Sequence, residues 1–207
     1  MQNKPIIGLA GGIGSGKTTV ADLLGELGAA VISSDALNRE QLADAEVRET
    51  LRQWWGEKVV RPDGALDRSQ IAGIIFEDQR QRRRLEDFLH PRIARERDRL
   101  IEAYGGDAAV RAIVLDSPLL VESHLDVMCD AVVFIDADDV VRRKRVTDGR
   151  GWTETEWRRR EKTQNALDKK RERADYVLVN NSSDLALLRT QVEELLQEII
   201  RSPRRNG

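Results

Sequence analysis

Cysteine is all but missing from the 207 residues: Cys129 stands alone. One thiol forms no intramolecular disulfide and no cysteine cluster for zinc, which excludes a disulfide-stapled scaffold and points to a reducing, cytoplasmic location. Long apolar runs are missing too. No stretch approaches the roughly 18 apolar residues of a membrane span, and the first residues carry no charged n-region with a long apolar h-region, so neither export nor membrane insertion is expected. An excess of one charge is also missing. With 34 basic and 36 acidic residues the net charge is −2, so no bulk field argues for nucleic acid or an anionic membrane, and neither is expected as a partner. Internal repeats and low-complexity tracts are absent.

Arginine is abundant, supplying 27 of the 34 basic residues. Guanidinium suits bidentate phosphate grip, although the codon bias of a GC-rich genome is the better explanation for most of these residues. The length suits one domain with insertions, enough to bury a sizeable core. The oligomeric state is left open, a monomer included.

Residues 6–19 read Ile6-Ile7-Gly8-Leu9-Ala10-Gly11-Gly12-Ile13-Gly14-Ser15-Gly16-Lys17-Thr18-Thr19. Gly11, four intervening residues, Gly16, Lys17 and Thr18 meet the phosphate-binding loop pattern in full. A polyphosphate needs several N–H donors pointing inward at once, and glycine lets the backbone approach without a Cβ in the way. Val20, Leu23, Leu24 and Leu27 then fall at i, i+3, i+4 and i+7, a helix whose unpaired N–H groups and positive dipole end add to the cradle. Lys17 is placed to reach the β- and γ-phosphates and the Thr18 hydroxyl to take a position on Mg²⁺. Gly11, Gly12, Gly14, Ser15, Gly16, Lys17, Thr18 and Thr19 are thus the expected site for a nucleoside triphosphate with Mg²⁺.

Gly28 is placed to end that helix, and residues 29–35 read as a second strand with Asp35 at its C-terminal end. In open α/β sheets ligands bind at that edge, so Asp35 is a candidate catalytic carboxylate; its alternative reading is a helix N-cap. Residues 38–60 read as helix with a break at Gly56, and Trp54 and Trp55 as packing residues. Arg61-Pro62-Asp63-Gly64 is a turn, after which Leu66, Ile71, Ile74 and Ile75 restart a helix. Leu89-His90-Pro91 predicts a helix boundary, because proline pushes its predecessor out of the α region while fitting a first helical turn. His90 reads as a capping or packing residue, or, beside Arg92, Arg95 and Arg99, as part of an anion site.

Residues 112–116 form a third strand ending in Asp116, either a Mg²⁺-shell acid of the loop NTPases or a chance acid. A fourth strand covers 131–135 and a fifth begins near 175, before a closing amphipathic helix through Leu185, Leu188, Val192, Leu195, Leu196 and Ile199. Between those strands, residues 140–170 carry Arg142, Arg143, Arg145, Arg150, Arg158, Arg159 and Arg160 with few apolar residues. A helix lacking an apolar stripe is poorly anchored, so this segment reads as a mobile arginine-bearing lid, or as a solvated charged hairpin. The strand and helix alternation predicts an α/β three-layer sandwich around a five-stranded parallel sheet.

Together, residues 11–19, Asp35 with Arg39, Leu89-His90-Pro91, Asp116-Ser117-Pro118-Leu119-Leu120-Val121-Glu122, the arginine-rich segment ending at Gln164 and Ala174-Asp175-Tyr176-Val177 to Asn180 resemble the dephospho-CoA kinase family over nearly the whole chain. The resemblance implies transfer of the ATP γ-phosphoryl group to the 3′-hydroxyl of dephospho-CoA. It implies a nucleotide core at about 1–37, 111–139 and 174–201, a helical CoA-binding subdomain at about 38–110 and a lid at about 140–173. By matching positions, Asp35, Lys17, Arg145 and Arg150 are the implied catalytic residues, with Arg160 a further lid candidate. Asp35, Arg39, His90, Asp116, Leu119 and Glu122 surround the acceptor, and Asn180 lies at the nucleotide. Two departures stand out: Ser33-Ser34-Asp35 replaces the family's Asp-Ala-Asp, and the lid spacing differs by a residue near residues 149–152. Another small-molecule kinase of this fold, for a nucleoside monophosphate or a sugar, and a non-catalytic nucleotide switch are the alternative readings.

Overall fold

The structure, a computed structural model, describes residues 4–161 and 167–202, without the side chain of Arg150. Gln164 and residues 203–207 therefore lie outside the described residues. The chain separates into two compact units, one being Ser34–Ile101 and the other the remainder of the described chain.

The larger unit is built on a sheet of β1 (Ile6–Gly11), β2 (Ala30–Ser33), β3 (Ile113–Asp116), β4 (Ala131–Asp136) and β5 (Tyr176–Val179). Every pairing is parallel, in the order β2-β3-β1-β4-β5. β1, β3 and β4 are apolar in continuous runs because both faces are covered, whereas β5 exposes Val177 and Val179 on one face. On one face Ile7, Leu9, Val114, Val133 and Ile135 pack against α1 (Lys17–Glu26) and α9 (Leu185–Arg201), through Val20 and Leu24 of α1 and Leu188, Val192, Leu196 and Ile199 of α9. On the other, Leu120 and Cys129 press on Gly8 so closely that a Cβ there would lie 2.7 and 2.8 Å from them. This is the predicted parallel α/β sandwich. Winding runs outward from β1 to β3 and β2 on one side and to β4 and β5 on the other, so β1 is where it reverses, the position at which such sheets bind ligands.

Local signals set the element ends. Gly28 (φ 92°) follows the last turn of α1, its N–H reaching Gly25 O at 3.0 Å while Ala29 N reaches Leu24 O at 2.9 Å, a paired C-terminal closure suited to glycine. Asp184 caps α9 by accepting from Ala186 N and Leu187 N.

The smaller unit is helical: α2 (Ser34–Ala43), α3 (Ala45–Trp55), α4 (Arg68–Glu77) and most of α5 (Gln79–Gly106). Val47, Leu51, Val59, Leu66, Ile71, Leu85 and Leu89 form its own core, flanked by Trp54, Trp55 and Phe88, so the tryptophans pack as expected. Trp54 meets Phe88 edge-on at 5.3 Å, and the Arg84 guanidinium stacks 3.9 Å above Trp54.

Four expectations need correction. Asp35 is not in the second strand; β2 stops at Ser33, and Ser34 and Asp35 open α2, since short polar side chains favour a helix start over a strand. The helix expected over 38–60 is broken earlier, at Asp44, whose carboxylate caps α3 by accepting from Val47 N. No boundary falls at Pro91, which lies inside the continuous α5. Leu85 and Leu89 before it and Ile93 after it share one core, and the Asp87 carbonyl that loses its amide donor belongs to an exposed residue. Leu185 is 61% exposed and leaves the apolar stripe of α9 to its partners.

Truncating Leu24, which is 2% exposed between α1 and the sheet, tests this core. Leu24→Ala is expected to lower the unfolding free energy by about 2–5 kcal/mol, read as a reduced urea midpoint at unchanged m.

Candidate active site

A loop that aims its N–H groups inward at phosphates must turn its carbonyls outward, and each of these then needs a donor. The turn after β1 meets that requirement almost residue by residue. Lys17 Nζ donates to Gly11 O at 2.8 Å and Gly12 O at 3.0 Å, and Ser15 N donates to Gly12 O. Arg142 Nη1 reaches Ile13 O at 3.4 Å. Ser15 O accepts from Asn180 Nδ2 at 2.8 Å and from Arg145 Nη1 at 3.4 Å, and Gly16 O takes the first helical bond, from Val20 N. Gly16 itself has φ 95°, and a Cβ on it would collide with Asn180 Nδ2, so the position requires glycine twice over. Gly14, at φ 83°, is pressed by the Arg142 carbonyl.

The side chains that do this come from β5's exit and from α6 (Asp139–Arg150). Asn180 is 4% exposed, and its N–H bonds Asp136 O at 2.7 Å, which fixes it to the end of β4. Arg145 spreads its guanidinium over Asn180 O at 2.9 Å and Ser182 O at 2.8 Å, and burial pulls its pKa below the ordinary guanidinium value. Arg142 is 2% exposed. It donates to Ala137 O, Asp139 and Glu161 and packs beside Trp157 of α7 (Glu154–Glu161). Burial opposes its charge, but the hydrogen bonds it donates to Glu161 and Asp139 outweigh that, leaving its pKa raised.

These contacts correct the expectation of a poorly anchored arginine segment. Val146, Trp157 and the stem of Arg142 are buried, so long cationic side chains with satisfied heads do the work of an apolar stripe. The next helix, α8 (Leu167–Glu172), is tied in the same way: buried Lys170 pairs with Glu122 at 3.0 Å and Arg171 with Asp136 at 2.6 Å.

The larger unit thus gathers residues 11–19, Asp116, Leu119, Glu122, Arg145 and Asn180, while Asp35, Arg39 and His90 belong to the helical unit. Asp116 ends β3 in register with Leu9 of β1 and Ser33 of β2. Leu119 is 46% exposed, and Glu122 faces Lys170. Asp35 and Arg39 are exposed on α2, and His90 is exposed on α5. Arg150 ends the α6 backbone. Arg142 was not singled out by sequence; its position one turn before Arg145 on the same helix was the available signal.

The donors fit a magnesium ion only in company. Thr18 offers an exposed hydroxyl on the first turn of α1 and Asp116 a carboxylate, both hard oxygen ligands, while no cluster of three or more His, Cys, Asp or Glu among the described residues could hold a metal alone. That suits Mg²⁺, which takes one or two protein oxygens and completes its shell with phosphates and water.

A parallel sheet that reverses at β1, with a phosphate cradle on that strand's exit, defines a nucleotide-binding protein of the phosphate-loop class. Comparison with known proteins narrows the class. Residues 5–185 match the family model described as dephospho-CoA kinase. Dephospho-CoA kinase from Corynebacterium glutamicum is 39% identical over 94% of this chain and 96% of its own length, and that from Symbiobacterium thermophilum is 41% identical over 91% and 78%. A solved Thermus thermophilus structure superposes over the whole of both chains with TM-score 0.80 at 32% identity. Shikimate kinase from Acinetobacter baumannii shares the fold, with TM-score 0.51 and 19% identity over 99% of this chain and 97% of its own. The chain belongs to the dephospho-CoA kinase family.

Because Arg142 supports the loop carbonyl from outside, Arg142→Met is expected to lower the unfolding free energy by about 1–3 kcal/mol. Steady-state kinetics should show a higher KM for ATP, with a smaller fall in kcat.

Proposed function

We propose that the chain phosphorylates the ribose 3′-hydroxyl of dephospho-CoA with ATP, giving CoA and ADP, the last step of coenzyme A biosynthesis. The observation that carries the reading is that the loop carbonyls of Gly11, Gly12, Ile13, Ser15 and Gly16 are each held by a donor, which turns them away from a triphosphate, in a chain of this family.

Phosphoryl transfer asks a protein mainly for positioning and neutralisation of charge. In this reading the acceptor 3′-oxygen bonds to the γ-phosphorus as the bond to the β,γ-bridging oxygen breaks, and ADP departs with the electron pair. The hydroxyl proton passes to the Asp35 carboxylate, in the first turn of α2 two residues beyond Ser33 at the end of β2. Lys17 stays tied to the loop through Gly11 O and Gly12 O, and its ammonium is offered to the β- and γ-phosphates. Thr18 and Asp116 would hold Mg²⁺, which would supply neutralisation of the phosphate charge. Asn180 and Arg145 keep the Ser15 carbonyl turned away from the nucleotide, and Arg150 is the candidate lid arginine within about 140–173. Arg39 and His90 are assigned to the acceptor, as are Leu119 and Glu122, the last through its link to Lys170. The helical unit is the acceptor-binding part, and the lone buried thiol of Cys129 suits a reducing cytoplasm.

Incubating the protein with Mg-ATP and dephospho-CoA should add one phosphate to the acceptor by mass spectrometry; an unchanged acceptor mass while ATP binds refutes the reading. Asp35→Asn should reduce kcat by about 10²–10⁴-fold while leaving the affinity for ATP near wild type, read by calorimetry.

A further inference from the structure

The helical unit holds a cavity of about 490 Å³ that the phosphate loop does not share. Arg39 of α2, Arg48 of α3, Arg61 of the turn after it and Arg68 of α4 all line it, and Leu42 and Leu66 form an apolar wall beside them. One acid lines it, Asp67, and that carboxylate is already engaged as the cap of α4, accepting from Ser69 N at 2.9 Å and Gln70 N at 3.1 Å. Arg61 meets Asp63 at the exposed turn, and Arg48 Nη1 donates to Gly64 O at 3.1 Å. Arg39 and Arg68 have no hydrogen-bond or ion-pair partner among the described residues.

Arg48 supplies the more telling detail. Its Nε is buried and makes no hydrogen bond among the described residues. A desolvated guanidinium N–H without an acceptor is unfavourable, and four like charges around one cavity repel, so the arrangement is relieved by an anion that accepts from several guanidinium groups at once. A diphosphate matches this by charge and by its planar pairs of oxygens, which guanidinium forks grip two at a time. The apolar wall next to the arginines suits an uncharged chain attached to that anion.

We infer that this cavity is the grip for the diphosphate of the acceptor, with the uncharged pantetheine arm along Leu42 and Leu66. The inference rests on the function proposed above, since dephospho-CoA carries one diphosphate between its adenosine and that arm. In this arrangement the substrate is recognised at a place chemically separate from its reacting hydroxyl, and the arginines set affinity through the diphosphate alone.

The test uses the full chain with its phosphate loop saturated by a non-hydrolysable ATP analogue. Calorimetry with dephospho-CoA, with adenosine as the diphosphate-free comparator and with inorganic pyrophosphate is run on wild type, on Arg48→Met and on Arg48→Met with Arg68→Met. Thermal melts confirm that each variant folds, and Arg61→Met, at an exposed turn, serves if Arg48→Met does not. The double variant is expected to bind dephospho-CoA about 30-fold more weakly or worse, to bind adenosine within about threefold of wild type, and to show a raised KM for dephospho-CoA with kcat much less affected. Rising salt should weaken dephospho-CoA binding in wild type and do so less in the variant. Dephospho-CoA affinity insensitive to the arginines overturns the inference, and so does pyrophosphate binding that alone depends on them, which would make the cavity a site for free anions. The two readings fail separately. A wild type that phosphorylates dephospho-CoA while the variants bind it normally refutes the cavity, whereas arginine-dependent binding without phosphate transfer refutes the enzymatic reading and upholds the grip.

Discussion

The structure depends on where the carbonyl oxygens of one short turn point. A chain cannot present consecutive N–H groups to a phosphate unless the carbonyls between them turn the other way, and a carbonyl turned into protein without a donor is strongly unfavourable. Here the donors are Lys17 from within, and Asn180, Arg145 and Arg142 from sequence 129 to 165 residues distant. The far third of the chain is therefore part of the phosphate cradle. The fold brings it there because β4 and β5 lie on the opposite side of β1 from β2 and β3, so their exits and the helix after β4 reach the turn that follows β1.

That dependence explains the chemistry of the segment after β4. An apolar stripe would anchor α6 to the core, but it would offer nothing to the carbonyls of Ile13 and Ser15. Arg142 and Arg145 do both, burying their stems and donating from their heads. Lys170 repeats the device two helices later, meeting Glu122 beyond β3, while the exposed Arg171 beside it pairs with Asp136 at the end of β4. Buried cations of this kind are tolerated because each has an acceptor; Arg142 keeps its charge because Glu161 and Asp139 more than offset its burial.

How much of this could be read from sequence follows from the range of each interaction. Residues 11–18 were legible because a phosphate loop is a local pattern, and the strands because continuous apolar runs are short-range signals. Asp35 was misplaced by one element, since Ser33-Ser34-Asp35 serves a strand exit and a helix entry equally well and only the pairing of Ser33 with Asp116 shows where β2 ends. Pro91 was read as a boundary because the rule for proline is local, whereas Leu85, Leu89 and Ile93 hold the helix through it by tertiary burial. The role of Arg142 had only its spacing of one turn from Arg145 to signal it, since nothing in a run of arginines says which one is buried. The arginine-lined cavity was equally hidden, its four residues being spread over Arg39 to Arg68 and gathered by three helices and a turn.

The outer brace of the loop has one further property. Its donors beyond Lys17 are an amide and two guanidinium groups, and neither kind gives up a proton in the range where enzymes work. The shape of the cradle is thus indifferent to pH across neutrality. No limb of the pH–rate profile of this chain consequently owes anything to these three donors.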